Sequence, residues 1–324
     1  MNTRCWRLIS IFIILTLVSA VGPRSAAAKL IKKTLISGGL ERTYHVFLPK
    51  GYSSGNPIPL VIALHGGGGR GINMDRGTGG QITREADRRG WIAVFPEGVS
   101  RGWNDGRPLK TRRDRERATV NDTAYIADLL AELQKDYSID AKRIFATGIS
   151  NGGFMSIRLA IDLSDKFAAI AAVTASLGKQ DEQSVPKAPI SVMFINGTED
   201  PLVPYNGGQV VAFGQTRGEI LATSAAIRWW AARNGCTDQP VSQDLPDSEP
   251  GDGTYVQMET FSGGEQGSEV VLVRINGGGH TWPGGVQYLP ERRIGKVCRD
   301  IDGTELIFDF FARHQRQTTA ERPE

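Results

Sequence analysis

An open α/β fold, with a mostly parallel central sheet covered by helices on both faces, is the class the sequence predicts. Three observations predict it: a series of short apolar, often β-branched runs, helical periodicity in the stretches between them, and glycine loops at which several of the runs stop. Runs that stay apolar at successive positions are what strands buried on both faces require. With 324 residues and 40% apolar content, the chain has enough material for one large core.

The chain begins MNTRCWRLISIFIILTLVSAVGPRSAAAK, a basic start followed by an apolar run from Leu8 to Val18 and then small residues. That is the layout of a secretory signal peptide, with cleavage after Ala20 or Ala28 both fitting. The apolar run is short for a membrane-spanning helix. Residues 1–28 are therefore expected to be a signal and residues 29–324 a single domain, exported to the extracellular space or periplasm.

TLISGGLERTYHVFLP predicts two strands joined at Gly38-Gly39, and the Arg42 to Leu48 run alternates as a half-buried strand does. PLVIALHG is a buried strand that stops at a glycine loop. Helical periodicity follows around Thr83 to Arg89, and WIAVFPEG is the next buried strand. Asn121-Asp122 suits the cap of a long helix carrying Tyr125, Leu129, Leu130 and Leu133. RIFATG, FAAIAAV, PISVMFING and SEVVLVRING complete the buried strands, with helices expected at Gly153 to Leu163, Glu219 to Arg233 and Thr304 to His314. The polar stretch Thr237 to Gly253 reads as a surface loop.

The 38 basic and 35 acidic residues give a formal charge of +3, and Arg4, Arg7 and Arg24 all lie within the first 28 residues, where there is no acid. Losing that segment leaves 3 − 3 = 0. A neutral chain without a basic block offers no electrostatic footprint for nucleic acid or an anionic membrane. Removal of Cys5 with the signal leaves Cys236 and Cys298, an even pair in an oxidising compartment, and a disulfide between them is expected. On the chain-entropy model such a closure stabilises by roughly 4 kcal/mol.

The chemistry-bearing stretch is FATGISNGGFM, where Gly148-Ile149-Ser150-Asn151-Gly152 follows a strand and opens a helix. This strand, turn and helix context is the one a G-x-S-x-G nucleophile elbow needs, because side chains at the flanking positions would clash with the neighbouring strand and helix. A serine hydroxyl also needs a base and a group to orient that base. Among four histidines, His45 sits within an alternating strand, His314 near the end of the last helix, and His65 ends a strand inside LHGGGG. His280 ends the run VVLVRINGGGH in a glycine loop at the same sheet edge as Ser150, and is the expected base. The orienting carboxylate is expected just after PISVMFI, at Asp200, with Glu199 as the alternative. Backbone N–H groups of Asn151 and of Gly67, in the loop Gly66 to Gly69, are the expected oxyanion donors. Trp103, in RGWND, and Trp282, two residues after the base, are expected near the nucleophile as aromatic substrate contacts, with packing under the histidine loop as the alternative for Trp282.

Through YHVFLPKGY, PLVIALHG, GWND, GISNGG, NGTEDPLVPY and GGGHTWPGG, nearly the whole exported chain resembles the secreted esterases grouped as polyhydroxybutyrate depolymerase-like or feruloyl esterase-like, including their LpqC-type branch. The resemblance implies an α/β-hydrolase fold, a Ser-His-Asp mechanism through an acyl-enzyme, no cofactor, and an ester substrate such as a polyester or a feruloyl or acetyl ester of plant cell walls. An acetyl (xylan) esterase of the same fold is the alternative. Two rivals come from other classes. Gly66-x-Gly68-x-x-Gly71 with Glu97 matches a dinucleotide fingerprint and would suit an NAD-dependent oxidoreductase, and a non-catalytic polymer-binding protein would use the same scaffold. No H-E-x-x-H or clustered Cys/His spacing points to a metal.

Overall fold

The computed structural model describes residues 29–108 and 116–317, so the signal-peptide reading of residues 1–28 lies outside the described residues. The strands are β1 (Lys29–Ser37), β2 (Leu40–Leu48), β3 (Ile58–Leu64), β4 (Ile92–Pro96), β5 (Ile139–Ile149), β6 (Ala169–Val173), β7 (Ser191–Gly197), β8 (Gly208–Ala212), β9 (Gln215–Ile220), β10 (Val241–Asp244), β11 (Tyr255–Phe261) and β12 (Val270–Asn276). The main helices are α1 (Gln81–Arg89), α2 (Asp122–Asp136), α3 (Asn151–Asp162), α4 (Thr223–Asn234) and α5 (Gly303–Ala312).

Ten strands form one sheet in the order β1-β2-β4-β3-β5-β6-β7-β12-β11-β10. The middle, from β4 to β12, is parallel throughout, and antiparallel pairs close both ends. The β1–β2 hairpin turns on Gly38 and Gly39, both at positive φ (56° and 77°), the combination a tight two-residue hairpin needs and glycine supplies without a steric penalty. Alternation along β3 shows why the parallel strands are apolar throughout. Leu60, Ile62 and Leu64 join the core beneath α2, α3 and α4, while Val61 and Ala63 join the core on the opposite face, with α1 and α5. Asn121 caps α2, its side-chain oxygen accepting from the Ala124 N–H at 2.9 Å.

The topology fixes where a ligand binds. From β3 the chain passes to β4 on one side, then crosses β3 to add β5 on the other. The helices that follow β3 and β5 therefore lie on opposite faces, and a crevice opens between the carboxyl ends of these two strands. His65 to Gly69 and Ser150 are the residues at that crevice.

Three expectations need correction. Glu219 and Ile220 belong to β9, and the helix there starts only at Thr223; β8 and β9 form a separate two-stranded sheet. The Thr237 to Gly253 stretch contains an edge strand, β10, whose residues are all exposed, so it carries no apolar face by which to be recognised. Cys236 and Cys298 are not bonded. Cys236 packs against the core beneath α4 and Cys298 lies in the core on the other side of the sheet, beside Asp252 and Asp300, so the sheet stands between the two thiols.

Candidate active site

Ser150 sits at φ 55°, ψ −120°, outside the regions that L-residues ordinarily populate. Such a conformation costs on the order of 1–3 kcal/mol and persists only where the surroundings over-determine it. Here they do: the Ser150 N–H donates to Val173 O at 2.9 Å, and the Phe154 N–H donates back to Ser150 O at 2.8 Å. The flanking glycines are required. A Cβ on Gly152 would stand 2.1 Å from the carbonyl oxygen of Leu64, and one on Gly148 would stand 2.5 Å from the Gly152 backbone. The turn from β5 into α3 therefore presses directly against β3.

The buried His280 ring lines the same cavity as Ser150, and its Nδ1 lies 2.7 Å from Oδ2 of the buried Asp200. Asp200 Oδ1 accepts the backbone N–H groups of Leu202 and Val203 at 2.8 and 2.9 Å, which fixes the carboxylate from behind. A carboxylate facing Nδ1 makes that nitrogen the donor and leaves Nε2 free to accept a proton. The His280 loop is held at its own carbonyl by the Tyr288 hydroxyl, at 2.9 Å. Burial pushes the Tyr288 phenol up, which keeps it a neutral donor. Glu199, the alternative carboxylate, is not the ion-pair partner of His280, which is Asp200; its backbone N–H bonds Gly278 O.

The loop after β3 lies over Ser150. An added Cβ on Gly67 would meet the Asn151 Cβ at 3.6 Å, an ordinary contact, so Gly67 is beside Asn151 but is not itself sterically obliged to be glycine. Gly68 is the residue at positive φ (82°), and its N–H is taken by Arg101 O at 2.7 Å. The Gly69 N–H is taken by Gly66 O, whereas those of Gly67 and Asn151 have no acceptor among the described residues. His65 braces this loop. Gly98 N–H donates to its Nε2 at 3.0 Å and its Nδ1 lies 2.8 Å from Gly66 O, so Nδ1 carries the proton. Burial pushes the His65 pKa down and favours that neutral ring.

Trp103 does not face the cavity. It is fully buried, donates from Nε1 to His65 O at 2.9 Å, and packs against the His65 ring at 4.9 Å. Its backbone N–H and carbonyl are both bound by the Asn151 side chain, whose Nδ2 also donates to Asp105 at 2.7 Å. Trp103 is thus a support beneath the β3 loop, a correction to its expected role as a substrate contact. Trp282 contributes to the cavity wall but is only 2% exposed, and its Nε1 donates to Thr304 Oγ1 at 3.0 Å, pinning it at the start of α5. The exposed aromatics at the cavity are Phe213, at the β8–β9 turn, and Tyr288. Sequence reasoning missed both, along with Leu202, Val203 and Val210 on the same wall.

The cavity measures about 890 Å³, large enough for a drug-sized organic substrate. Sheet order, elbow and cavity at the switch point together define an α/β-hydrolase. The Esterase family model matches residues 37–258, and the chain belongs to that family. It is 30% identical to "Putative esterase NocK" of Nocardia uniformis subsp. tsuyamanensis over 88% of this chain and 83% of that one. It is 29% identical to feruloyl esterase B of Piromyces equi over 72% of this chain and 42% of that longer one. Among solved structures, an acetyl xylan esterase from Aspergillus awamori superposes with a TM-score of 0.53 at 15% identity, covering 78% of this chain and 94% of that one. The protein is a carboxylic-ester hydrolase.

Proposed function

We propose that the enzyme cleaves esters of bulky acyl groups through a Ser150–His280–Asp200 triad. The observation that carries the reading is one cavity lined by both Ser150, strained at φ 55°, and His280, whose Nδ1 is held by Asp200. Ser150 Oγ attacks the ester carbonyl carbon as its proton passes to His280 Nε2. The Gly67 and Asn151 N–H groups hold the resulting oxyanion. Collapse breaks the bond to the alcohol, which leaves with the proton from His280, and the acyl group stays on Ser150 as an ester. Water, deprotonated by His280, then releases the carboxylic acid and restores the serine.

Bulky acyl groups are favoured over acetyl because the cavity is wide and carries Met74, Phe154, Leu202, Val203, Val210 and Phe213 on its walls. The similarity to feruloyl esterase B supports a hydroxycinnamoyl ester, and a hydroxyalkanoate polyester presents a comparable apolar face. Export, proposed from the layout of residues 1–28, would bring the enzyme to such polymers.

Ser150→Ala and His280→Ala should each lower kcat by about 10⁶, and the double variant should be little worse, since residues that act as one unit do not lose activity additively. Assayed on methyl ferulate and 4-nitrophenyl butyrate, additive losses or a nearly active Ser150→Ala would overturn the triad.

A further inference from the structure

The cavity wall contains Arg70, Arg101, Arg107, Arg117 and Arg217, and among the described residues it contains no Asp or Glu. This one-sidedness is not inherited from the chain, whose basic and acidic residues nearly balance. Arg107 is neutralised, its guanidinium paired with Asp105 at 2.6 Å, and Arg117 and Arg217 are engaged with other groups of the protein. Arg70 and Arg101 are different. Both are exposed, and among the described residues neither side chain makes an ion pair or hydrogen bond. Both adjoin the glycine loop after β3: Arg70 directly follows Gly69, and the carbonyl of Arg101 receives the Gly68 N–H at 2.7 Å.

The backbone that presents Arg101 is itself strained. Ser100 and Arg101 lie consecutively at positive φ, 49° and 59°, in a region that non-glycine residues rarely occupy. Ser100 is anchored there by its hydroxyl, which donates to Glu116 at 2.7 Å. Strain held at a cavity wall, delivering a guanidinium with no partner among the described residues, is expected where that group has a ligand to meet. A planar, permanently charged guanidinium matches a carboxylate with two parallel hydrogen bonds.

We infer that the preferred substrate is an ester that also bears a carboxylate, recognised by Arg70 and Arg101 beside the oxyanion loop. The inference rests on the ester-cleaving reading of this cavity and narrows its substrate class. The carboxylate can belong to the acyl part or to the alcohol part, and two matched pairs separate these. Mono-4-nitrophenyl glutarate against 4-nitrophenyl pentanoate tests the acyl side. 3-(4-Acetoxyphenyl)propanoate against its carboxamide tests the alcohol side.

In at least one pair kcat/KM should favour the anion by roughly 10- to 100-fold, the range of one charge-assisted contact. The preference should shrink at about 0.5 M salt, where charges are screened within a few ångströms. Arg70→Gln and Arg101→Gln should each pull the anion-to-neutral ratio toward one, and Arg228→Gln, on the exposed face of α4, should leave the ratio as it is. Ratios at or below one in both pairs, or ratios untouched by the Arg70 and Arg101 substitutions, would overturn the inference while leaving ester cleavage intact. Turnover that survives Ser150→Ala would instead remove the triad, and the anion preference would still be read from the same ratios.

Discussion

At the scale of single residues, the site combines groups the sequence exposes with groups it hides. Ser150, Asp200 and His280, the triad proposed for this enzyme, could be picked out because each follows a strand-like run, and one sheet edge gathers strand ends. Trp103, expected at the cavity, is sealed beneath it, and Trp282, which does reach the cavity wall, is pinned from behind; neither setting was visible locally because the surroundings are distant in sequence. Trp103 is sealed by His65, 38 residues away, and Trp282 by Thr304, 22 residues away. For Trp282, burial gives a clear expectation. Trp282→Ala removes a large core side chain and leaves the Thr304 hydroxyl with Gln81 as its remaining partner, a change that typically costs about 3 kcal/mol or more and lowers Tm by several degrees. Activity on methyl ferulate and on 4-nitrophenyl acetate should fall in the same proportion, and a selective loss on the ferulate would restore a stacking role. Asp200→Asn is the complementary test. An amide keeps the shape but not the charge that holds the His280 tautomer, so kcat should drop on the order of 10⁴ with Tm little changed. Comparable activity of the two forms would mean that the contact between Nδ1 and Asp200 only packs the loop.

At the scale of elements, the buried parallel strands were read correctly because burial on both faces leaves an unbroken apolar run. The β8–β9 hairpin was not, since glycines interrupt it and most of its residues face solvent, so neither period is visible. That hairpin carries Phe213 and contributes to the cavity wall, which explains why the strand-end residues at the cavity were legible and Phe213 was not. The elbow between β5 and α3 is the element whose sequence is most constrained. Gly152→Ala forces a methyl group into the Leu64 carbonyl, a backbone atom that cannot step aside without moving β3. Overpacking of this kind typically costs about 1–3 kcal/mol, occasionally more. The variant should lose both thermal stability and kcat, measured by Tm and by ester turnover. A variant with unchanged Tm and activity would show that the elbow is looser than its contacts imply.

At the scale of the whole molecule, the strained Ser100, Arg101 and Ser150 lie at the carboxyl edge of the sheet, and the opposite edge is clamped. Glu269, just before β12, accepts from Arg313 at 2.6 Å and lies 3.0 Å from His314 Nε2, beyond the end of α5. Its backbone N–H also donates to Ser191 Oγ, at the start of β7. The chain's last described segment is thereby tied to two neighbouring central strands. Burial works to raise the Glu269 carboxyl, but the hydrogen bonds from His314 and Arg313 outweigh it and hold it at about 2, below the ordinary 4.5. A carboxyl depressed in the folded state contributes stability that is fully present above its ordinary value and is lost as the pH falls through the folded value. Glu269→Gln abolishes this titration and leaves Arg313 without its partner. The Tm of the variant should therefore lie several degrees below that of the native protein at pH 7, and the gap should narrow steadily as the pH drops from about 4.5 toward 2. The two melting curves need only be followed across that window. A gap of constant size at every pH would show that Glu269 holds the C-terminal segment by shape alone, and that its charge contributes nothing to the clamp.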